Sequence, residues 1–453
     1  MSHLCEAPQG ALPVERLALH LEPNHRRVLL RPFMPSLVVK PTSGPGDLQR
    51  LETLMDRLAA LPAEESEREL ERLRHRFGVR HRTLEKLARQ RWQDVLAPLQ
   101  RQHRLGGEQQ LLLGYYLTHE YALESAALFN PSLVAHPDQS GLEPGSLRVV
   151  LSLRATGEGH ISSIEFRSGV IRPDNTLHLD RVSPFVYQGQ ITMLENGAEG
   201  SYRVSYDEES LLSERVLFPV AARESNGLED ARFVRLEGES PRYLATATAY
   251  DGRGIHTQLI ETDDFREFRL RPLQGSAIRN KGLAFFPRRI QGQWWMLGRQ
   301  DSENIHLMTS DRTDCWHDSR VLLCPQEPWE FIQLGNCGSP LETAAGWLVL
   351  THGVGAMREY CIGAALLDLD DPTRVIGRLR QPLLRAIEDE RDGYVPNVVY
   401  SCGGLIHADQ LWLPYAVSDR ATRLARVPLA PLLELLCQSP PRESLCRAAT
   451  PSP

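Results

Sequence analysis

The spacing of hydrophobic residues divides the chain into two regions. Over residues 48–99, apolar positions recur at steps of three and four, as in Leu48, Leu51 and Met55. This period is typical of amphipathic helices. The same spacing continues through the segment GEQQLLLGYYLTHEYALESAALF, which we also predict to be helical. The pattern therefore predicts a mainly helical N-terminal extension over residues 1–125, with one strand at RRVLLRPF.

Beyond this extension, short β-rich runs alternate with turns of Gly, Asn, Asp and Pro. A unit of turn, apolar strand, polar turn and second strand recurs five times, and Pro287, Pro340 and Pro396 mark three of these units. Repeats of roughly 50 residues that each form a small antiparallel sheet favour a propeller over the alternative, a pair of β-sandwiches. We predict an all-β five-bladed β-propeller over residues 126–436 and a flexible tail over residues 437–453.

Composition narrows the class of protein. The 453 residues include 51 Lys and Arg against 58 Asp and Glu, and this mild acidity argues against nucleic-acid or membrane partners. The N-terminus lacks the apolar core of a signal peptide, and no apolar run approaches the ~18 residues of a membrane span. The eight cysteines form no CxxC pair, which indicates reduced thiols and no metal site. We expect a cytoplasmic protein.

One candidate for catalysis is the pair of adjacent carboxylates in SNGLEDARF, Glu229 and Asp230, which Arg232 follows. Propeller sites lie at the mouth of the axial channel, beside the ends of inner strands. Neighbouring strand residues point to opposite faces, so only one of the two carboxylates can face the channel. A channel-facing carboxylate near an arginine suits general-acid catalysis or the binding of sugar hydroxyls. The alternative is a solvated or capping pair at a turn.

A second candidate set is cationic. Lys281 and Arg299 flank a strongly apolar strand pair, where they could bind an anion such as phosphate. Ordinary surface ion pairing is the alternative for both residues. His352 ends an apolar run at a glycine turn and is either a structural hydrogen-bonding group or, beside those cations, a ligand of phosphate or a sugar oxygen.

Further polar and aromatic residues lie in the later repeats. Glu330 and Gln333 precede a glycine-rich turn, next to Trp329, which could stack on a sugar face. The last repeat has polar or aromatic groups at strand ends, namely Tyr394, Asn397, Tyr415 and Asp419.

Several of these motifs together resemble glycoside hydrolase family 130, the β-mannoside phosphorylase and β-mannosidase family. The resemblance lies in NGLEDARF, LAFFP…GQWWMLGRQ, GSPLETAAGWLVLTHGV and GYVPNVVYSCG…LPYAVSD. FNPSLVAHPD…LSLRATGEGHISSI resembles the family's first blade, with Asn130 at its turn and Arg154 at a strand end. The match covers about residues 125–436 and implies a five-bladed propeller that catalyses an inverting reaction without cofactor or metal.

The resemblance also implies roles for individual residues. Asp230 corresponds to the general acid, which protonates the leaving oxygen through a sugar hydroxyl. Lys281, Arg299 and His352 align with a cradle for phosphate, which attacks the anomeric carbon and gives α-mannose 1-phosphate. The implied partners are an oligosaccharide and inorganic phosphate. Residues expected to bind the sugar are Asn130, Arg154, Glu229, Arg232, Tyr394, Asn397, Tyr415 and Asp419.

One departure from the family pattern leaves alternatives open. Family phosphorylases commonly have Lys-Ile-Gly where this chain has Gln333, Leu334 and Gly335, so one phosphate-binding cation is missing. An inverting β-mannosidase would instead activate water with a base such as Glu330 or Glu303. A propeller that binds glycans without catalysis is a third hypothesis. We also expect that the helical extension could support a homo-oligomer.

Overall fold

The computed structural model describes residues 12–34, 45–99, 105–194, 198–239 and 242–442. The α-helices are α1 (Pro45–Ala59), α2 (Ala63–Gly78), α3 (Leu84–Leu99), α4 (Gly107–Tyr116) and α5 (Leu429–Cys437). Two compact units are formed by the described residues that fall within these ranges: Met1–Asn24, Glu124–Val182 and Gln188–Pro453 for one unit, and His25–Leu123 and Ser183–Tyr187 for the other.

The strands, in chain order, are β1 (Glu15–Leu21), β2 (Val28–Pro32), β3 (Thr118–Ala122), β4 (Ala127–Ala135), β5 (Leu147–Thr156), β6 (Ser162–Ile171), β7 (Leu177–Leu179), β8 (Gln190–Met193), β9 (Tyr202–Ser205), β10 (Val216–Leu217), β11 (Gly227–Arg235), β12 (Tyr243–Tyr250), β13 (Ile255–Thr262), β14 (Glu267–Pro272), β15 (Ala284–Phe285), β16 (Trp294–Gly298), β17 (Ile305–Ser310), β18 (Ser319–Leu323), β19 (Gln333–Asn336), β20 (Leu341–Thr343), β21 (Gly346–Val354), β22 (Tyr360–Leu367), β23 (Val375–Arg378), β24 (Val399–Tyr400), β25 (Leu405–His407), β26 (Gln410–Val417) and β27 (Ala421–Pro428).

The smaller unit contains α1 to α4 and the antiparallel pair of β2 and β3. The apolar positions predicted to face inwards, Leu51 and Met55, are buried in its core with Leu70 and Leu112. The helical prediction is wrong beyond Tyr116, because the chain there forms β3 and then β4. Pairing with β2 and β5 supplies the hydrogen bonds of these strands, and this tertiary contact outweighs the helical spacing of the side chains.

The larger unit consists almost entirely of antiparallel strands in five consecutive groups. The first group is β4 to β7 with β10, and the second is β11 to β14 with β8 and β9. A single parallel bridge between Gly227 and Ser162 joins these two groups into an eleven-stranded sheet. The third group is β15 to β18, and the fourth is β19 to β23. The fifth group orders β1, β27, β26 and β24, with β25 beside β26.

The N-terminal strand β1 departs from the predicted division at residue 125. Glu15 pairs with Arg426 of β27, so β1 completes the fifth group of strands rather than a helical extension. At the other end of the chain, α5 ends at Cys437, the first residue of the predicted flexible tail, and residues 443–453 of that tail lie outside the described residues.

Hydrophobic clusters connect successive strand groups. Four clusters join the second to the third, the third to the fourth, the fourth to the fifth and the fifth to the first group. Their representative pairs are Leu259 with Phe285, Leu297 with Trp347, Leu350 with Leu413, and Leu151 with Trp412. Phe166 of the first group stacks on Phe268 of the second, with ring centroids 5.4 Å apart. Each group therefore shares buried apolar surface with the next.

Two findings bear on the expectations drawn from composition. Within the described ranges, no helix is both long and apolar enough to cross a bilayer. Cys315, Cys337, Cys361, Cys402 and Cys437 are free thiols, but Cys324 is disulfide-bonded. The expectation of wholly reduced cysteines is therefore wrong for Cys324.

Candidate active site

Two bulged strands carry the first pair of site residues. The pairing of β4 with β5 shifts register between Phe129 and Ser132, and that of β11 with β12 shifts between Glu229 and Arg232. At these bulges Asn130 has φ 48° and Asp230 has φ 52°, a left-handed conformation uncommon for residues other than glycine. Bulges of this kind redirect side chains near functional sites. Here Asn130 Nδ2 donates a hydrogen bond of 2.7 Å to Asp230 Oδ1.

Asp230 opens into a pocket of about 250 Å³ that residues from all five strand groups line. The lining residues are Ala126, Ala127, Phe129, Asn130, Arg154, Thr156, His160, Asp230, Lys281, Arg299, His352, Arg358, Tyr360, Tyr394, Val398, Tyr400 and Asp419. Eight of the residues singled out from the sequence are thus brought together, although they span almost 290 positions of the chain: Asn130, Arg154, Asp230, Lys281, Arg299, His352, Tyr394 and Asp419.

The environment of Asp230 favours its ionised form. Burial by itself would raise the pKa of the carboxyl, but Arg154, Arg232 and Lys281 together with the Asn130 hydrogen bond lower the pKa to about 2. Arg154 Nη1 lies 3.3 Å from Asp230 Oδ1. In the described part of the chain, no protein donor contacts Asp230 Oδ2, so this oxygen is available to a ligand.

Glu229 and Arg232 support Asp230 from outside the pocket. Glu229 accepts a hydrogen bond of 2.7 Å from Arg154 Nη2, and burial raises the pKa of its carboxyl. The buried Arg232 donates from Nη1 to the carbonyl oxygen of Asp230 and from Nη2 to the hydroxyl of Tyr400, at 2.9 and 2.7 Å. Neither residue lines the pocket, although both were expected to bind the sugar directly.

Cationic and neutral donors meet around His352. Arg299 Nη1 lies 3.2 Å and Gln333 Nε2 3.1 Å from His352 Nε2. Burial, with Arg299 and Arg232 nearby, lowers the pKa of His352 well below its usual value. The imidazole is therefore neutral, and its Nε2 accepts the hydrogen bond from Arg299. Lys281 lines the same pocket and adds a second cation.

Asp419 is the second carboxyl group in the lining. It has φ 50° in the turn between β26 and β27. Burial and the charge of Asp230 raise the pKa of Asp419 to about 6, against the opposing effect of Arg154 and Arg358. The pocket therefore holds one carboxyl that stays ionised and one that titrates near neutral pH.

Several sequence candidates lie elsewhere. Both oxygens of the buried Glu330 carboxylate lie 2.8 Å from Arg378 Nη2, and its Oε2 accepts the backbone N–H of Gln326 at 2.9 Å. Tyr415 is buried and donates to Glu390 at 2.7 Å. Asn397 accepts from Arg391 at 2.8 Å. None of these candidates lines the pocket, and neither does the exposed Glu303.

Sequence reasoning missed six polar or aromatic lining residues, namely Phe129, Thr156, His160, Arg358, Tyr360 and Tyr400. Tyr400 could have been found, because it lies on the first strand of the last repeat, three residues after the predicted Asn397. Its ring meets His352 edge-on at 4.9 Å. Within the described residues, no cluster of His, Cys, Asp and Glu has the makings of a metal site.

The pocket of this predominantly β fold combines acidic and cationic side chains, and comparison with known families identifies the class of protein. The model of glycoside hydrolase family 130, described as β-1,4-mannooligosaccharide phosphorylase, matches residues 165–438. The chain therefore belongs to this family and is an enzyme of its phosphorylase and glycosidase type.

Two relatives found by sequence comparison are named as phosphorylases. A 1,2-β-oligomannan phosphorylase from Thermoanaerobacter sp. (strain X514) is 32% identical over 218 residues, which cover 47% of this chain and 72% of the relative. A β-1,2-mannobiose phosphorylase from Listeria innocua is 33% identical over 213 residues, 45% of this chain and 58% of the relative. A solved structure from Parabacteroides distasonis shares the fold, with a TM-score of 0.51 at 18% identity over 68% of this chain and 89% of that chain.

Proposed function

We propose that the enzyme cleaves β-mannosides by inverting phosphorolysis and releases α-mannose 1-phosphate, in a reversible reaction. Asp230 is the general acid and protonates the leaving oxygen through a sugar hydroxyl. Lys281 and Arg299 hold inorganic phosphate, and His352 orients Arg299. The observation that carries this proposal is the presence of a buried carboxylate and these two cations in one pocket.

The charges of the pocket suit a phosphate co-substrate. Phosphate requires a cradle of positive charge because its own negative charges must approach the reacting carbon. Lys281 also contributes to the low pKa of Asp230, which leaves that carboxyl ionised in the free enzyme. A phosphate ion beside Lys281 offsets this effect, so the pKa of Asp230 rises and the carboxyl takes up the proton that a general acid needs.

The main alternative, an inverting β-mannosidase, needs a carboxylate base across from the acid, typically about 6.5–9.5 Å away. Among the described residues, the pocket lining holds only Asp230 and Asp419 as carboxyl groups. Glu330 is occupied by Arg378, and Glu303 is not in the lining. We therefore drop both glutamates as the base and favour phosphorolysis, with Gln333 in place of the usual lysine.

We further propose a five-bladed propeller in which the five strand groups are the blades. Support comes from the hydrophobic clusters, because the fifth group shares a cluster with the first as well as with the fourth. The single pocket that residues from all five groups line is a second support. In this arrangement β1 closes the last blade, so the catalytic region is residues 126–436 together with β1.

The proposal is tested by incubating the enzyme with β-1,2- and β-1,4-mannobiose, with and without phosphate, and identifying the products. We expect α-mannose 1-phosphate and a strict requirement for phosphate. Mannose released independently of phosphate would indicate a mannosidase. Binding without turnover, unchanged in Asp230→Asn, would indicate a glycan-binding protein.

Arg299→Ala provides the matched variant for phosphate. It should raise the KM for phosphate by about tenfold or more, because a charge-assisted bidentate partner is lost. An unaltered phosphate response would remove Arg299 from the proposed cradle. The cytoplasmic location stays a prediction. A homo-oligomer formed through the helical unit also stays a prediction, and light scattering of the whole chain would test it by measuring the mass of the particle.

A further inference from the structure

The loop that follows Arg299 is organised by the carboxylate of Asp301. Asp301 Oδ1 accepts the backbone N–H groups of Glu303 and Asn304, at 3.0 and 2.8 Å. Asp301 Oδ2 accepts a hydrogen bond from Asn304 Nδ2 at 2.7 Å and lies 2.9 Å from His306 Nε2. Burial by itself would raise the pKa of this carboxyl, but the hydrogen bonds from Asn304, His306 and Glu303 lower it to about 2. An ionised carboxylate with these four partners has no position left for a ligand, so Asp301 acts by holding the loop.

The same loop is joined to the segment that carries Lys281. Asn280 Nδ2 donates a hydrogen bond to Ser302 Oγ, and Asn280 Oδ1 accepts the backbone N–H of Lys281 at 2.9 Å. Gln300 Nε2 donates to the carbonyl oxygen of Ala277 at 3.1 Å. Two side-chain hydrogen bonds therefore connect the loop to the segment directly before Lys281.

The backbone is left-handed at both ends of the first of these connections. Asn280 has φ 59° and Ser302 has φ 66°. This conformation is uncommon for residues other than glycine, and it persists where surrounding contacts hold it. The hydrogen bond between the two side chains is one such contact. Without it both turns can relax, and Lys281, which directly follows Asn280, would shift with its turn.

A further connection runs from the loop to the strand beside His352. The carbonyl oxygen of Glu303 accepts the backbone N–H of Leu334 at 2.8 Å. Leu334 follows Gln333, whose Nε2 lies 3.1 Å from His352 Nε2. The loop held by Asp301 is therefore bonded to neighbouring chain segments of the third and the fourth strand group.

The placement of Lys281 and Arg299 is important because position 333 adds no further cation. Both cations line the pocket, whereas Gln333 is uncharged. Coulomb attraction falls as charges move apart, and an arginine binds phosphate through two parallel hydrogen bonds only in a suitable orientation. A lysine ammonium stands on a long flexible stem, so its position also depends on where the backbone is held. A loop that fixes the backbone of both cations therefore affects a charged substrate more than a neutral one.

We infer that Asp301 is a positioning residue for phosphate, because the loop it holds fixes the backbone at Arg299 and, through Asn280 and Ser302, the backbone at Lys281. The inference rests on the proposed function, which assigns Lys281 and Arg299 to phosphate. Asparagine cannot replace Asp301 in this role. Its amide has one acceptor oxygen where the carboxylate has two, so at least one donor of the loop would lose its acceptor.

Steady-state kinetics of the full chain test the inference, with phosphate and then β-1,2- or β-1,4-mannobiose as the varied substrate. Asp301→Asn should raise the KM for phosphate by about tenfold and the KM for disaccharide by less than about twofold, because displaced cations act mainly on the charged substrate. Ser302→Gly should raise the KM for phosphate by about threefold, the effect of one lost hydrogen bond. Glycine adopts the left-handed backbone readily, so this variant should keep the fold. If a thermal melt shows that Asp301→Asn does not fold, Ser302→Gly decides alone.

Asp368→Asn is the matched control. Asp368 Oδ1 likewise accepts the backbone N–H groups two and three residues later, those of Asp370 and Asp371, at 3.0 and 3.1 Å, but Asp368 lies outside the pocket lining. The control should leave both KM values within about twofold of wild type, as is usual for substitutions remote from a site.

Two results would overturn the inference and leave the proposed function standing, provided that the wild-type enzyme requires phosphate. One is an unchanged KM for phosphate in the variants of Asp301 and Ser302. The other is an equal rise of the KM values for phosphate and disaccharide, which would indicate general damage to the pocket. A wild-type enzyme that does not catalyse phosphorolysis would overturn the proposed function and the inference together.

Discussion

Asp230 and Glu330 are both buried acidic residues close to a turn in a strand repeat, but their surroundings differ. Asp230 is contacted by protein at Oδ1, and its side chain lines the pocket. Both Glu330 oxygens are held by Arg378, and Oε2 also accepts two backbone N–H groups. A carboxylate whose hydrogen bonds are all made within the protein has no capacity left for substrate.

The difference between these two regions shows that burial of an acidic group does not identify a catalytic acid. A candidate catalytic acid is better indicated by a carboxylate oxygen that accepts no hydrogen bond from the protein and faces a cavity. Nearby cations whose charge the protein does not fully neutralise are the second indication. The region of Asp230 has both features, and the region of Glu330 has neither. We therefore expect substitutions in the two regions to separate activity from stability.

The largest expected effect is on catalysis at Asp230. Asp230→Asn should lower kcat for phosphorolysis about a thousandfold, since general-acid catalysis typically contributes 10²- to 10⁴-fold. The variant should also lose roughly 2.6 kcal/mol of stability at neutral pH, because the pKa of Asp230, about 2 in the folded protein, lies below its unfolded value of about 3.9, and a thermal melt would show this loss. A kcat within tenfold of wild type would contradict the assignment of the acid.

The next effect is on stability at Glu330. Glu330→Gln should lower the free energy of unfolding by about 3 kcal/mol, because it leaves the buried Arg378 without its ion pair. Denaturant titration measures this loss, and kcat of the folded fraction should stay within about threefold. The double variant with Arg378→Met should recover part of the stability. A large loss of kcat in a variant that remains stable would place Glu330 in the site after all.

A smaller, pH-dependent effect is expected at Asp419. Its pKa of about 6 in the folded protein lies above the unfolded value of about 3.9, so ionisation of this carboxyl destabilises the fold as pH rises through that interval. Asp419→Asn should therefore be more stable than wild type above pH 6, by roughly 2 kcal/mol, and equal to it near pH 4. Melting curves at both pH values check this, and a difference independent of pH would contradict it.

The smallest expected effect concerns Gln333, which stands where family phosphorylases commonly have lysine. Gln333→Lys should lower the KM for phosphate by about threefold, because a further cation beside His352 attracts the phosphate dianion. The effect is small because partly solvated surroundings weaken the attraction between the two charges. Gln333→Met, which adds no charge, is the control and should not lower the KM. An unchanged KM in the lysine variant would indicate that phosphate lies away from Gln333.

Much of the candidate site could be predicted from the sequence, because local pattern and chemistry coincide there. Asn130, Arg299 and His352 stand at the end of an apolar run, and Asp230 and Lys281 stand shortly before one. Because this placement recurs from repeat to repeat, it indicates the ends of strands. The ends of strands in consecutive sheets can lie close together in space. Family membership and the predominantly β region followed from the same segments.

By itself, then, the amino-acid sequence determined the change from helical to β periodicity, the repeated strand units and the set of polar residues at their ends. Only the tertiary structure decided which carboxylate is available to substrate, since Arg378 lies 48 positions after Glu330 and Asn130 lies 100 positions before Asp230. It also paired β1 with β27 and brought His160 and Arg358 to one pocket. Such contacts depend on how strands that are distant in sequence pack together. The spacing of residues along the chain therefore does not predict them.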